Sequence, residues 1–281
     1  MTPIRRGADL VRRRPRATTY ALAFLVHLLV APFLIHDWDG YVFITTAEDF
    51  LRGQSPYETV ERESSYIYIG DGVPVVNSWY AYPPVSLLLF APFYGVFTFL
   101  LGHAPWVERL GVKIPIVLGD LALAYAAYLL VRASVDDPER AERRARLAER
   151  AILFNPFLVF ISAAWGMFDA WMMALLVGAI WALAVRRFAL GGALLALAVL
   201  VKPFPALALP LIAFYAWRQG AARGLARWAA GGAATAAVVC LPFLLLSPGG
   251  FMQQVVFNHM GRPPQGFTLM GVPLAFGWIN G

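Results

Sequence analysis

Residues 228–246 run for 19 positions without a charged side chain. In helical form that is about 28 Å at ~1.5 Å per residue, close to the hydrocarbon thickness of a bilayer. Further apolar runs occupy 17–35, 84–101, 112–131, 151–165, 170–185 and 188–217. The chain is 59% hydrophobic and 14% charged, against about 25% charged residues in soluble domains. These features predict an all-α, polytopic transmembrane bundle forming a single membrane domain. The net charge of +6 does not point to nucleic acid, because the arginines flank apolar runs rather than lining one amphipathic face. The one cysteine, Cys240, excludes a disulfide framework.

Lys/Arg bias in short loops sets the expected orientation. Residues 1–16 carry six arginines and precede the apolar run 17–35. That run is longer than a signal-peptide core and ends without a small-x-small site before His36, so it is expected to stay as a first transmembrane helix. The six arginines of 132–150, the pair Arg186-Arg187, and Arg218, Arg223 and Arg227 are expected on the inside with the N-terminus. If both 84–101 and 112–131 crossed, 132–150 would fall outside. The expectation is therefore that 112–131 crosses while 84–101, with Pro92 and Gly95, lies along or dips into the outer face. Helices are also expected at 151–165, 170–185, 188–201, 204–217 and 228–246. Lys202-Pro203-Phe204-Pro205 would make the outer tip of a hairpin. An outer loop, 247–268, and the start of a further helix, 269–281, complete the prediction.

The only long polar stretch between apolar runs is 36–83, with eight acids against two arginines. The layout places it outside. Asp37, Asp39, Lys113, Asp169, Lys202, His259 and Arg262 all fall on that same side, which suggests chemistry there on a lipid-borne substrate.

Several short pieces recur in an order that resembles the GT-C superfamily of membrane glycosyltransferases using polyprenyl-phosphate sugars. They are Asp37-Trp38-Asp39-Gly40-Tyr41, Arg52-Gly53-Gln54-Ser55-Pro56-Tyr57, Trp79-Tyr80-Ala81-Tyr82-Pro83-Pro84 and Lys113-Ile114-Pro115. Asn155-Pro156, Gly166-Met167-Phe168-Asp169 and Lys202-Pro203-Phe204-Pro205 follow. Met167 departs from the pattern, which often has a polar residue there. The resemblance spans roughly residues 20–215 and is to the bacterial and archaeal polyprenyl-phosphate-mannose-type branch and to the eukaryotic dolichyl-phosphate-glucose and -mannose enzymes. It implies an inverting transfer of a hexose, mannose favoured, from a polyprenyl phosphate to an extracytoplasmic lipid-linked or glycan acceptor, at the cell membrane. It also implies more helices than 281 residues hold, so a partner subunit supplying them is expected beside membrane lipids.

The candidate residues follow. Asp39 is the expected general base and Asp37 its runner-up. A carboxylate can take the acceptor proton, while a phosphate leaving group needs no acid partner. The competing reading of Asp39 is a helix cap. The Asp-x-Asp pair also reads as a metal motif, but lacks an evident third ligand, so neither metal nor other cofactor is expected. Lys202, Lys113, Arg262 and His259 are candidates for the donor phosphate, against lysine snorkelling or a solvated loop. Trp79, Tyr80, Tyr82 and Asp169 are candidates for substrate contact, although aromatic belts occur at every membrane interface. Asp120, inside an apolar helix, is expected to make an interhelical hydrogen bond. Two other classes remain: a transporter, disfavoured by polar residues at one face rather than the midplane, and a non-catalytic GT-C-like subunit.

Overall fold

A computed structural model describes residues 15–58, 60–64, 73–77 and 80–257. Most described residues are helical. α1 (Pro15–Leu28) is followed by α2 (Asp37–Leu51), then by a two-stranded antiparallel ladder, β1 (Val60–Ser64) and β2 (Val73–Asn77), with Val60 opposite Asn77. Next come α3 (Pro84–Leu101), α4 (Pro105–Ala133), α5 (Pro138–Leu153) and α6 (Pro156–Val159), which widens into a π turn over Phe160–Trp165. α7 (Asp169–Ala184), α8 (Phe188–Val201), a 3-10 turn (Phe204–Ala208), α9 (Leu209–Leu246) and α10 (Pro248–Met252) complete the order, ending in a π turn, Gln253–Phe257.

Proline marks many helix starts. Pro84, Pro105, Pro138, Pro156 and Pro248 each stand in the first turn, where a fixed φ and a missing N–H cost nothing. Asp137 caps α5 by accepting from the backbone N–H of Arg140, and Asn155 caps α6 by accepting from that of Phe157. This second cap interrupts the chain between α5 and α6.

The bundle has two chemically different ends. At one, the Arg16 guanidinium stands 3.8 Å over the Tyr128 ring and pairs with Glu149 at 2.6 Å, while Arg146 pairs with Glu142. At the other, Arg109 donates to the Phe33 carbonyl at 3.1 Å, so α1 and α4 run antiparallel. α3 is apolar and long enough to cross a membrane, but both its flanks touch this arginine-poor end. Its Ser86 hydroxyl donates to the carbonyl of Val201, which closes α8, and Tyr94 backs onto Gly111 near the start of α4.

α9 is two helices folded back at Ala221, which has φ 49° and ψ −155°. A β-carbon on Gly224 would lie 3.3 Å from the Ala216 carbonyl oxygen. Eight residues along a straight helix would separate them by about 12 Å. The returning half meets α8 backbone to backbone: a β-carbon on Gly192 would overlap the Trp228 carbonyl, and one on Gly231 the Ala189 carbonyl. Small residues at a crossing give membrane helices close van der Waals contact where water supplies no driving force.

Several boundaries differ from the sequence expectations. The run 17–35 is helical only to Leu28 and continues as turns through residue 33. The acidic stretch 36–83 is not an open loop but opens with α2, whose Val42, Phe43 and Ala47 are buried. α4 begins at Pro105 rather than 112, and the basic segment between the α9 halves is helical. The stretch 247–268 opens with α10; its later part and 269–281 lie outside the described residues. Among the described residues, Pro84–Leu101, Pro105–Ala133 and Phe204–Leu246 are long and apolar enough to span.

Gly192→Ala and Gly231→Ala should each destabilise the detergent-solubilised protein by about 1–3 kcal/mol, the usual cost of overpacking. Gly249→Ala, which meets nothing within 4 Å, should leave the melting temperature near wild type. Equal effects in all three would contradict the backbone contact.

Candidate active site

The first turn of α2 is built by His36. Its backbone N–H donates to the Trp165 carbonyl at 3.0 Å, and its ring stacks on Trp165 at 4.9 Å and 26°. Its Nδ1 lies 2.6 Å from Asp39 Oδ2 and 3.4 Å from the Asp39 backbone nitrogen. These contacts require opposite protonation of Nδ1. The shorter, to a carboxylate, decides: Nδ1 carries the proton and donates to Oδ2. The Tyr82 hydroxyl donates to Asp39 Oδ1 at 3.3 Å. Asp39 therefore sits in the first turn of α2, where His36 rather than Asp39 is the cap, and its carboxylate is held by a histidine and a tyrosine. Asp37 opens the same helix, and its side chain lies outside the described residues.

One turn along α2, Phe43 meets Phe168 edge-on at 5.2 Å, and both pack against Phe90 of α3. Phe168 directly precedes Asp169. This aromatic floor thus links the Asp39 group to a second polar group, in which Lys202 Nζ donates to both oxygens of Asp169 at 2.9 Å. Lys202 ends α8 in an extended conformation, as the residue before Pro203 should. Asp169, in the first turn of α7, faces the positive end of that helix. The Asp169 side chain is 40% exposed and that of Lys202 13%, so the pair opens to one side through the carboxylate.

Tyr80 is buried and stacks beside Tyr82 and Phe90, in the floor rather than on the surface. Burial pushes its phenol well above the ordinary tyrosine value. Lys113 corrects the expectation of an outer-surface lysine: it is 0% exposed, and its Nζ donates to the carbonyls of Ala163 and Ala164 at 2.8 Å. These carbonyls stand in the last turn before Gly166 ends the helix, where backbone acceptors have no partner within the helix. Asp120 makes the expected interhelical bond, accepting from the Ser162 hydroxyl at 2.7 Å. Trp79, His259 and Arg262 lie outside the described residues. His36 went unnoticed in the sequence; the available signal was a histidine three residues before an acid at a helix start. Glu48, His103 and Glu108 also converge, offering ligand atoms within 4.8 Å of one another, nine residues along α2 from Asp39.

Residues 80–279 match the family model described as glycosyltransferase family 87. The chain belongs to glycosyltransferase family 87. The family is of the GT-C type, as the order of motifs implied. No curated protein and no solved structure matches the chain. The matched span of this family 87 chain takes in Tyr82, Lys113, Asp169 and Lys202. His36 and Asp39 precede it, joined to it through Trp165 and Tyr82.

Gly166 ties these groups together. Its φ is +91°, and a β-carbon would stand 3.4 Å from Ile35 and 3.5 Å from Lys113 Cε. Gly166→Ala should cost about 1–2 kcal/mol from the left-handed conformation alone. A lower melting temperature is expected; an unchanged one would show that the π turn tolerates a side chain there.

Proposed function

We propose that this family 87 chain transfers a hexose, mannose favoured, from a polyprenyl phosphate to a lipid-linked or glycan acceptor with inversion at the anomeric carbon. The observation that carries the reading is the Asp39 carboxylate, held between His36 and Tyr82 at the same end of the bundle as Lys202. Inversion needs one basic group on the acceptor side, and Asp39 supplies the negative charge for it. Phosphate leaves as a stable anion. Its charge calls for a cation, and Lys202 offers one on a flexible stem. Asp169 occupies Lys202 in the free protein; a donor phosphate would exchange for that carboxylate, leaving Asp169 free to meet a sugar hydroxyl. Tyr82 borders the Asp39 carboxylate and Trp79 remains a candidate for substrate contact, whereas Tyr80 lies buried in the floor. Arg262 and His259 remain candidates for the phosphate. Lys113 would act from behind, by holding the turn that carries Trp165 and Gly166. Nothing in this chemistry calls for a metal.

The same reading places the site on the extracytoplasmic face of the cell membrane. Supporting it, Arg16, Arg132, Arg146 and Arg186-Arg187 gather at the opposite end, the pattern of cytoplasmic loops.

Asp39→Asn should lower transfer at least about 10²-fold, the low end for loss of a general base, with donor binding retained. Asp37→Asn should cost much less. A wild-type rate in Asp39→Asn would end the proposed mechanism. Lys202→Ala should weaken donor binding by about 1.5–3 kcal/mol, the value of one charge-assisted contact; unchanged donor affinity would assign Lys202 to headgroup contact. In a Cys240→Ala background, Glu58→Cys should react with an impermeant thiol reagent on intact cells and Arg144→Cys should not. The reverse pattern would invert the orientation.

A further inference from the structure

We propose that the group meeting the acceptor hydroxyl is His36, and that Asp39 acts through it. The inference rests on the glycosyl-transfer reading above and adds a residue to it. Three observations lead there. Both oxygens of Asp39 are taken, Oδ2 by His36 Nδ1 at 2.6 Å and Oδ1 by the Tyr82 hydroxyl at 3.3 Å. The Asp39 side chain is 13% exposed, whereas that of His36 is 37% exposed. The imidazole is also fixed in place, stacked at 4.9 Å on Trp165 and anchored by its own backbone bond to the Trp165 carbonyl. A proton on Nδ1, held by the carboxylate, leaves the lone pair of the ring on Nε2 at the opposite edge. A carboxylate that holds an imidazole in one tautomer and stabilises the imidazolium that forms is an established way of making histidine a base.

The step balances as follows. The acceptor O–H bond breaks and its proton passes to His36 Nε2. The oxygen pair released forms the new bond to the anomeric carbon. The bond from that carbon to the phosphate oxygen breaks, and the phosphate departs with its electron pair. The positive charge on His36 is matched by Asp39, and the proton returns to water after the product leaves. Tyr82 is a positioning residue here, orienting the carboxylate through Oδ1.

The test uses the full chain in detergent, synthetic polyprenyl-phosphate mannose as donor and a soluble alkyl mannoside as acceptor. His36→Ala should lower turnover at least about 10²-fold while donor affinity stays as in wild type. Added imidazole should restore part of that loss in His36→Ala and none in Asp39→Asn, a readout that a purely structural histidine would not give. His36→Gln, which can still bond Asp39 but cannot take a proton, should melt like wild type and be as slow as His36→Ala. The double variant His36→Ala/Asp39→Asn should be no slower than the slower single variant, as for residues acting as one unit. An active His36→Gln, or His36→Ala that imidazole does not rescue, would overturn the role of His36 while Asp39→Asn still tests the reading it rests on. A wild-type protein that transfers nothing, with Asp39→Asn indistinguishable from it, would remove both.

Discussion

A lysine inside an apolar bundle is tolerable only with its charge fully occupied, and Lys113 meets that demand by gripping two carbonyls of the Phe160–Trp165 turn. The grip works in both directions. It satisfies the ammonium, and it pays for a stretch of wide helix whose carbonyls would otherwise lack partners. Widening swings Trp165 and Gly166 toward the end of α1, where Trp165 receives His36 and Gly166 leaves room for Ile35. The position of the carboxylate group therefore depends on a charge-to-backbone contact more than two turns along α4 from the helix start.

Much of the helical order was legible because bilayer-length apolar runs and first-turn prolines are strong signals. The gathering of Lys202 and Asp169 at one end was legible as well, since Asp169 opens one short apolar helix and Lys202 closes the next, which runs back antiparallel to it. The helical state of α2 was not. Its Gly40, Ile44, Thr45 and Thr46 are poor helix formers, and burial of Val42, Phe43 and Ala47 overrides that propensity. Lys113 was misplaced for a related reason. The carbonyls that hold it are free because the wide turn ends at Gly166, a helix end that the sequence Phe-Ile-Ser-Ala-Ala-Trp did not place opposite Lys113. The reversal at Ala221 falls within the basic segment expected between the helices 204–217 and 228–246, and the unexpected part is that this segment is itself helical on both sides of the break.

The paired halves of α9 and α8 contribute differently. Gly191-Gly192 and Gly231-Gly232 let backbones touch without any polar side chain between them, so this half of the bundle is held by shape. The half around α1, α4 and α5 is held by Arg16, Glu149, Tyr128 and Glu142 at its arginine-rich end. The candidate site lies where the two halves meet, with Val201 of the first bonded to Ser86 and Phe168 packed on Phe43.

α10 bears on the order in which the molecule is made. Phe251 packs edge-on against Tyr57 at 5.0 Å, and Gly250 approaches the Tyr57 backbone so closely that no β-carbon fits. Tyr57 in turn donates to the Tyr82 carbonyl, next to the hydroxyl that reaches Asp39. On the ribosome, residues 36–83 emerge long before their partner in α10, and the intervening segments must insert and reverse first. The acidic stretch consequently waits, with its aromatic underside uncovered, until the chain has grown past residue 250. Closing so long a loop is slow relative to forming neighbouring helices. The cover over Tyr57 is thereby completed only once α10 has been made, whereas the contacts of Asp39 with His36 and Tyr82 use residues that all precede α9.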